Sequence, residues 1–267
     1  MKGNAILKLK EKLWLWGQTA NIHREYLPRD SRMTPVEGAL YFGLERCCRV
    51  VMHSLPKPPF DQDSLAMRPL KEVVWSIVGA GCTVEHNNGK GDLEEVLRQA
   101  AMFSNITGGI LDDFCSPERI AAFPPERLRQ IRERLRTGGP RPLDLWIVVY
   151  EYQLEDRTLA PYLAECDVVT FWTWYGKHLS AAPGNFNKLR KQAPGKRYLT
   201  GCYMFEYPGK REVTRDEMKF QLDWQLEAIR DGKSDGMILC SNCVADIGLD
   251  AVEYTRERLL EAGEEEL

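Results

Sequence analysis

Residues 106–150 contain the pattern that decides the fold: the apolar run ITGGIL at 106–111, the segment PERLRQIRERL at 125–135 and the apolar run LDLWIVVY at 143–150. The two apolar runs predict strands, because strands that are covered on both sides are apolar on both faces. The segment between them is rich in strong helix formers and stops at Gly138, Gly139 and Pro140. A strand, a helix and a strand in this order indicate a parallel unit with a right-handed crossover.

The same alternation extends along the chain in both directions. Thr34 before Pro35 predicts the start of one helix, and the capping box from Thr214 to Glu217 predicts another. Eight such repeats in 267 residues fit a single α/β domain, a (β/α)8 or TIM barrel. A doubly wound open sheet is the alternative, but residues 18–21 lack a G-x-G-x-x-G motif. The predicted strands are residues 13–17, 49–53, 72–78, 106–111, 143–150, 167–172, 197–205 and 236–240.

The composition excludes several classes of protein. Lys and Arg number 36 and Asp and Glu 39, with the signs interleaved, so we expect no nucleic-acid partner and no membrane partner. No apolar run is long enough for a transmembrane helix, and residues 1–11 lack the apolar run of a secretory signal. We therefore predict a cytoplasmic protein with one domain over residues 1–267, whose acidic end at 264–267 is frayed.

Aromatic and carboxylate side chains follow several of the predicted strands. In a (β/α)8 barrel the carboxyl ends of the strands and the loops after them form the active-site face. Trp and Tyr rings stack on the flat apolar faces of sugars, while carboxylates and amides bind sugar hydroxyls. This face therefore predicts a carbohydrate substrate, bound by Trp16, His53, Glu151, Trp172, Trp174, Tyr203 and Asn242.

Two adjacent carboxylates, Asp112 and Asp113, end the otherwise uncharged strand at 106–111. Successive side chains on a strand point to opposite faces, so both reach one pocket only if the chain turns there. Close negative charges raise one of the two pKa values, which suits a general acid at neutral pH. The pair predicts acid/base catalysis. The structural alternative is that Asp112 caps a loop or pairs with an arginine while Asp113 is solvated.

An adjacent Asp–Asp pair after the fourth strand of a barrel resembles the O-GlcNAcase-like glycoside hydrolases, which are retaining hexosaminidases. The resemblance implies that Asp112 orients the 2-acetamido group of the substrate, whose carbonyl oxygen is the internal nucleophile. It also implies that Asp113 protonates the leaving oxygen and then activates water. Residues 171–173 resemble the family's Trp-Thr segment at the sugar pocket, whereas residues 205–207 read FEY where the family has an Asp–Asn pair.

Glu206 supports a second catalytic arrangement. Here Asp112 or Asp113 is the acid/base, and Glu206 is the nucleophile that attacks the anomeric carbon. Carboxyl groups about 5 Å apart would predict retention of configuration, against roughly 6.5–9.5 Å for inversion. The structural alternative is an ion pair of Glu206 with Lys210 or Arg211.

Metal chemistry has little support in the sequence. Glu85 and His86 with one of the aspartates are the candidate ligands, but none of the four histidines has H-x-H or H-x-x-E-H spacing. Cys240-x-x-Cys243 has no second pair beside it. We predict no metal, no cofactor, and a glycoside hydrolase-like enzyme acting on a small or terminal sugar. The alternatives are a non-catalytic carbohydrate-binding barrel and a metal-dependent hydrolase or isomerase.

Overall fold

The computed structural model describes residues 7–80 and 91–267. Within these residues eight parallel strands form a closed barrel, in which each strand pairs with its neighbours along the chain and the last pairs with the first. The fold is a (β/α)8 barrel, as the sequence predicts. The strands are β1 (Leu13–Gly17), β2 (Arg46–Arg49), β3 (Glu72–Val78), β4 (Ile106–Leu111), β5 (Asp144–Tyr150), β6 (Val168–Trp172), β7 (Arg197–Tyr203) and β8 (Gly236–Cys240).

Helices lie between the strands along the chain. Thr34 and Thr214 cap two of them, each accepting a hydrogen bond from a backbone N–H three residues on, as their sequence patterns predict. None of the described helices is both long and apolar enough to cross a membrane. The helices are α1 (Pro35–Tyr41), α2 (Asp61–Ala66), α3 (Leu93–Met102), α4 (Pro117–Ala122), α5 (Pro125–Thr137), α6 (Ala160–Glu165), α7 (Ala182–Gln192), α8 (Arg215–Arg230), α9 (Asn242–Ala245) and α10 (Asp250–Ala262).

Strand β2 differs most from its predicted position, since it runs over Arg46–Arg49 and not over residues 49–53. Two cysteines fill two of its three buried positions, and Cys47 pairs with Leu15 of β1. The strand also contains Arg49, whose guanidinium is buried and bonds to Asp63 (2.6 Å). A buried cation and small thiols do not produce an apolar run. The strand was therefore predicted too late in the chain, from the apolar residues 50–51 that follow it.

Strand β7 ends at Tyr203, two residues before its predicted end. Phe205–Glu206 forms a short antiparallel pair with Arg211–Glu212, outside the barrel sheet. This pair forms a hairpin directly after the carboxyl end of β7. It therefore sets where the side chains that follow β7 lie.

Residues 264–267, which the sequence predicts to be frayed, lie against residues 7–10. The Leu9 N–H donates to the carbonyl oxygen of Glu265 (2.9 Å), and the Leu267 N–H donates to that of Leu7 (2.9 Å). The Glu264 carboxylate pairs with two lysine side chains of the same segment. The two ends of the described chain thus meet before β1, at the opposite end of the barrel from the strand carboxyl ends.

Candidate active site

A pocket opens at the carboxyl ends of the barrel strands. It has about 420 Å³ of atom-free space, including its opening to solvent. Its lining brings together both predicted aspartates and four of the seven predicted sugar-binding residues. These residues are Asp112, Asp113, Trp16, Trp172, Trp174 and Tyr203.

Asp112 lies directly after β4 and is almost fully buried, with 3% of its surface exposed. Its Oδ2 accepts a hydrogen bond from the Ala80 N–H (3.3 Å), and Arg119 donates to its backbone carbonyl oxygen. Burial raises the pKa of the Asp112 carboxyl well above its ordinary value, and the charge of Asp113 raises it further. These effects favour a protonated Asp112 carboxyl.

Asp113 has a left-handed backbone conformation, with φ at 47°. The chain therefore turns at this residue, which allows two successive side chains to reach one pocket. The Tyr150 hydroxyl, at the end of the neighbouring strand β5, donates to Asp113 Oδ1 (2.6 Å). Burial raises the Tyr150 pKa well above its ordinary value, so this hydroxyl keeps its proton and acts as a donor.

Asp112 and Asp113 thus form an unequal pair of carboxyl groups. One is buried in a setting that favours its neutral form, and the other is more accessible and accepts a hydrogen bond from a tyrosine. The burial of Asp112 and the neighbouring charge of Asp113 both favour the neutral form of Asp112, so the pair can hold one proton. Chemically, the pair can donate a proton in one step of a reaction and accept one in the next.

Aromatic rings form the walls of the pocket. Trp16 and Trp172 are buried and make an edge contact, with ring centroids 5.1 Å apart. Above them Trp174 lies nearly parallel to Tyr207, at 6.3 Å and 8° between the ring planes, and 5.6 Å from the Tyr203 ring. Such walls suit the apolar face of a flat ligand.

Because residue 201 is a glycine, the Trp172 ring can occupy the space that a larger side chain at this position would need. A Cβ there would lie 1.9 Å from an atom of that ring. A larger residue on β7 would therefore displace the indole.

His23 lines the pocket beside Gln18, although the sequence does not predict it as a site residue. His23 Nε2 lies 2.9 Å from Gln18 Oε1, and because an amide oxygen only accepts, Nε2 carries the proton. Burial lowers the His23 pKa to about 4, with a smaller contribution from the charge of His53. Nothing in the sequence marks His23 beyond its place in the loop after β1.

Asn242 and His53 do not line the pocket, in contrast to their predicted roles. Asn242 is fully buried and holds the backbone of Gln18, accepting from its N–H (2.8 Å) and donating to its carbonyl oxygen (3.0 Å). It therefore positions the loop that carries the Gln18–His23 pair. His53 is exposed in the turn after β2, with φ at 48°.

Glu151 and Glu206 hold the loop after β6 and do not line the pocket. The Glu151 carboxylate accepts from the backbone N–H groups of Trp174 (2.8 Å) and Tyr175 (3.3 Å). Glu206 accepts from the next N–H, that of Gly176 (3.1 Å). Three successive N–H groups are thus held by two carboxylates, and this fixes the backbone that presents the Trp174 ring.

The structure therefore places neither glutamate in the pocket, where the sequence predicts both of them to act. Glu206 also forms an ion pair with Arg211 (2.5 Å), which is the alternative considered for it. Glu151 additionally contacts His178 Nδ1 (2.9 Å). Both carboxylates bond to backbone and side-chain partners, and neither lines the pocket.

The predicted metal ligands Glu85 and His86 lie outside the described residues. Among the residues that are described, no group of three or more His, Cys, Asp and Glu side chains is arranged to hold a metal ion. Cys240 and Cys243 are buried free thiols, and Cys240 lines the pocket.

Comparison with known proteins supports the fold. No protein-family model matches the chain, and no curated protein matches it. An α-L-fucosidase-like protein from Bacteroides thetaiotaomicron is similar in structure, with a TM-score of 0.61 and 12% identity over 99% of this chain and 97% of that one. A thermostable chitinase domain from Pyrococcus furiosus gives 0.61 and 13% over 99% and 98%.

The same fold occurs outside the glycoside hydrolases. A mutant tryptophan synthase α-subunit from Pyrococcus furiosus has a TM-score of 0.54 and 12% identity, over 96% of this chain and 98% of that one. At these identities the likeness establishes the (β/α)8 barrel alone. An assignment of chemistry must come from the pocket residues.

Proposed function

We propose that the protein is a glycoside hydrolase that removes a terminal N-acetylhexosamine by substrate-assisted catalysis. The observation that carries the proposal is that Asp112 and Asp113 line one aromatic-walled pocket at the catalytic face of the barrel. Among the described residues no other carboxylate lines this pocket. A retaining reaction there needs a nucleophile from the substrate, and a 2-acetamido group supplies one.

Asp113 is the proposed acid/base. It is the more accessible of the two carboxyl groups, and the Tyr150 hydroxyl fixes its orientation. Asp112 is the proposed binding partner of the acetamido N–H. When substrate binds, the proton held by Asp112 passes to Asp113, and the Asp112 carboxylate accepts the hydrogen bond from that N–H.

The reaction balances with these groups and water. The acetamido oxygen bonds to the anomeric carbon as the bond to the glycosidic oxygen breaks, and Asp113 gives its proton to the leaving oxygen. The leaving group departs as an alcohol. Asp113 then takes a proton from water, whose oxygen attacks the anomeric carbon and reopens the oxazoline ring, so the sugar keeps its configuration.

The comparisons indicate which sugars to test first. The Pyrococcus furiosus chitinase, whose structure contains chito-oligosaccharides, has the same fold. N-acetylglucosamine derivatives are therefore the first class of substrate, with plain hexosides as the comparison.

Aryl-glycoside hydrolysis tests the proposal with Asp113→Asn and Asp112→Asn. We expect activity on N-acetylhexosaminides alone and a loss of at least about 100-fold in each variant, the size of a general acid–base contribution. For Asp113→Asn the loss should be larger for a phenyl than for a nitrophenyl leaving group, because nitrophenolate departs without protonation. A merely structural effect would be equal for both.

Two further variants serve as a control and as a test of Glu206. Asp231→Asn is the matched control, because Asp231 is exposed after α8 and pairs only with Lys233 among the described side chains. Glu206→Gln should lose less than about tenfold, since its carboxylate lies outside the pocket. Activity on plain hexosides that disappears in Glu206→Gln would instead make Glu206 the nucleophile.

Near-normal turnover in both aspartate variants would exclude the proposed acid/base pair. If the wild type hydrolyses none of the glycosides, the hydrolase proposal fails. Calorimetry with N-acetylglucosamine then tests the non-catalytic carbohydrate-binding alternative.

A further inference from the structure

A second cleft lies beside the catalytic pocket and continues it outward. It has about 800 Å³ of atom-free space, against about 420 Å³ for the inner pocket, each including its opening to solvent. Asp113, Tyr150 and Trp174 line both spaces. The proposed acid/base residue thus stands at the boundary between an inner pocket and an outer cleft.

Tyr152 gives the outer cleft an exposed aromatic surface. It lies in the short turn after β5 and is 53% exposed. Its ring is parallel to that of Tyr150, with centroids 5.4 Å apart and 5° between the planes. The Tyr175 ring lies 6.2 Å away on another side. The ring is held in place by aromatic neighbours, yet half of its surface is free to contact a ligand.

The position of Asp113 fixes which part of a substrate occupies each space. A proton donor acts on the glycosidic oxygen, so the bond that breaks must cross the boundary where Asp113 lies. The sugar that is released by hydrolysis then fills the inner pocket, whose lining includes Trp16 and Trp172. The leaving group extends into the outer cleft, along the Tyr152 ring.

We propose that the outer cleft is a leaving-group site that binds a pyranose ring by stacking it on Tyr152. The proposal rests on the hydrolase function proposed above and defines its substrate further: a disaccharide or oligosaccharide, cleaved one terminal sugar at a time. A second sugar is the occupant that fits best, because a pyranose offers an apolar C–H face to the tyrosine ring. Gln153 and Ser116 also line the cleft, and the Gln153 amide accepts from the Tyr150 N–H and donates to the Cys115 carbonyl oxygen.

Two substrates with the same terminal sugar test the proposal. N,N′-diacetylchitobiose carries a sugar as its leaving group, whereas the β-fluoride of N-acetylglucosamine leaves as a small anion that cannot contact Tyr152. We expect Tyr152→Ala to lower kcat/KM for the disaccharide about tenfold, the size of one aromatic stacking contact. Its kcat/KM for the fluoride should stay within about twofold. Tyr152→Phe, which keeps the ring, should resemble the wild type on both substrates.

An equal loss on both substrates would overturn the proposal, because it would mean that Tyr152 acts through Tyr150 or Asp113. No loss on the disaccharide would overturn it as well. If the wild type hydrolyses neither substrate, the hydrolase function has failed, and calorimetry with N,N′-diacetylchitobiose decides on the cleft alone. Binding that is weakened about tenfold by Tyr152→Ala supports a saccharide site there, and unchanged or absent binding rejects it.

Discussion

The burial of His23 makes the stability of the protein depend on pH. Only 6% of its surface is exposed, and burial lowers its pKa to about 4 from an ordinary value of 6.5. Between these values the unfolded chain binds a proton that the folded chain does not, so protonation favours unfolding. We expect the free energy of unfolding to fall by about 1 kcal/mol from pH 7.5 to pH 5.5, and by up to roughly 3 kcal/mol below pH 4. Urea unfolding at these pH values measures the change.

The variant His23→Gln isolates this effect from other titrating groups. Glutamine can donate to Gln18 Oε1 but gains no proton, so its stability should fall by about 1 kcal/mol less than that of the wild type from pH 7.5 to 5.5. The experiment compares how the free energy of unfolding changes with pH in the two proteins. A loss of stability in the variant that is the same at every pH does not affect this comparison. An equal pH dependence in the two proteins would exclude His23 as its source.

The positions of residues at the pocket could be predicted from the sequence where the ends of strands decide them. Asp112, Trp16 and Trp172 lie at or next to the ends of strands, and strand ends face the pocket in this fold. Tyr150 was placed at a strand end too, but its bond to Asp113 depends on the β4–β5 register, which pairs Leu111 with Ile147. His23 lies in a loop, where no periodicity shows which way a side chain points.

At the scale of elements, the loop after β6 depends on Glu151. The Trp174 and Tyr175 N–H groups both bond to this carboxylate, which is 7% exposed. Glu151→Ala leaves them without their acceptor, and an unpaired buried donor costs about 1–3 kcal/mol. We expect the free energy of unfolding to fall by about that amount, together with a loss of activity because Trp174 is displaced. Urea unfolding and glycoside hydrolysis measure the two effects.

Glu257→Ala is the matched control, since Glu257 is exposed on α10 and lies 3.8 Å from Arg215. Its effect on stability should be below about 0.5 kcal/mol. Glu151→Gln offers a second comparison, because its amide oxygen still accepts hydrogen bonds. If Glu151→Ala were as stable and active as the control, the loop would be held by Glu206 alone.

Elements were predicted well where apolar periodicity is continuous and poorly where charge interrupts it. Strand β3 was predicted with its observed ends because all but one of its seven residues are buried. Strand β2 was misplaced because Arg49 is buried by an ion pair with Asp63, which lies fourteen residues away in the chain. A partner at that separation leaves no local pattern in the sequence.

At the scale of the whole molecule, the alternation of strands and helices determines the barrel, because parallel strands need crossovers and eight of them can close. Closure itself is a long-range event that no local pattern specifies. It joins β1 to β8 through pairs such as Leu13↔Met237. The contact of residues 7–10 with residues 264–267 is also long-range. Because no local pattern shows this contact, the acidic end was predicted to fray.

Deletion of residues 264–267 tests whether this contact contributes to stability. The deletion removes the bonds of the Leu9 and Leu267 backbone groups to Glu265 and Leu7. At about 1 kcal/mol for each bond, we expect a loss of roughly 2 kcal/mol and a lower Tm by about 4–8 °C. Glu264→Gln alone should leave Tm close to that of the wild type, because exposed ion pairs contribute little. The proposed hydrolysis by the folded protein should not change, since the contact lies at the end of the barrel opposite the pocket. A deletion variant with the wild-type Tm would show that this end is frayed in solution, as its sequence predicts.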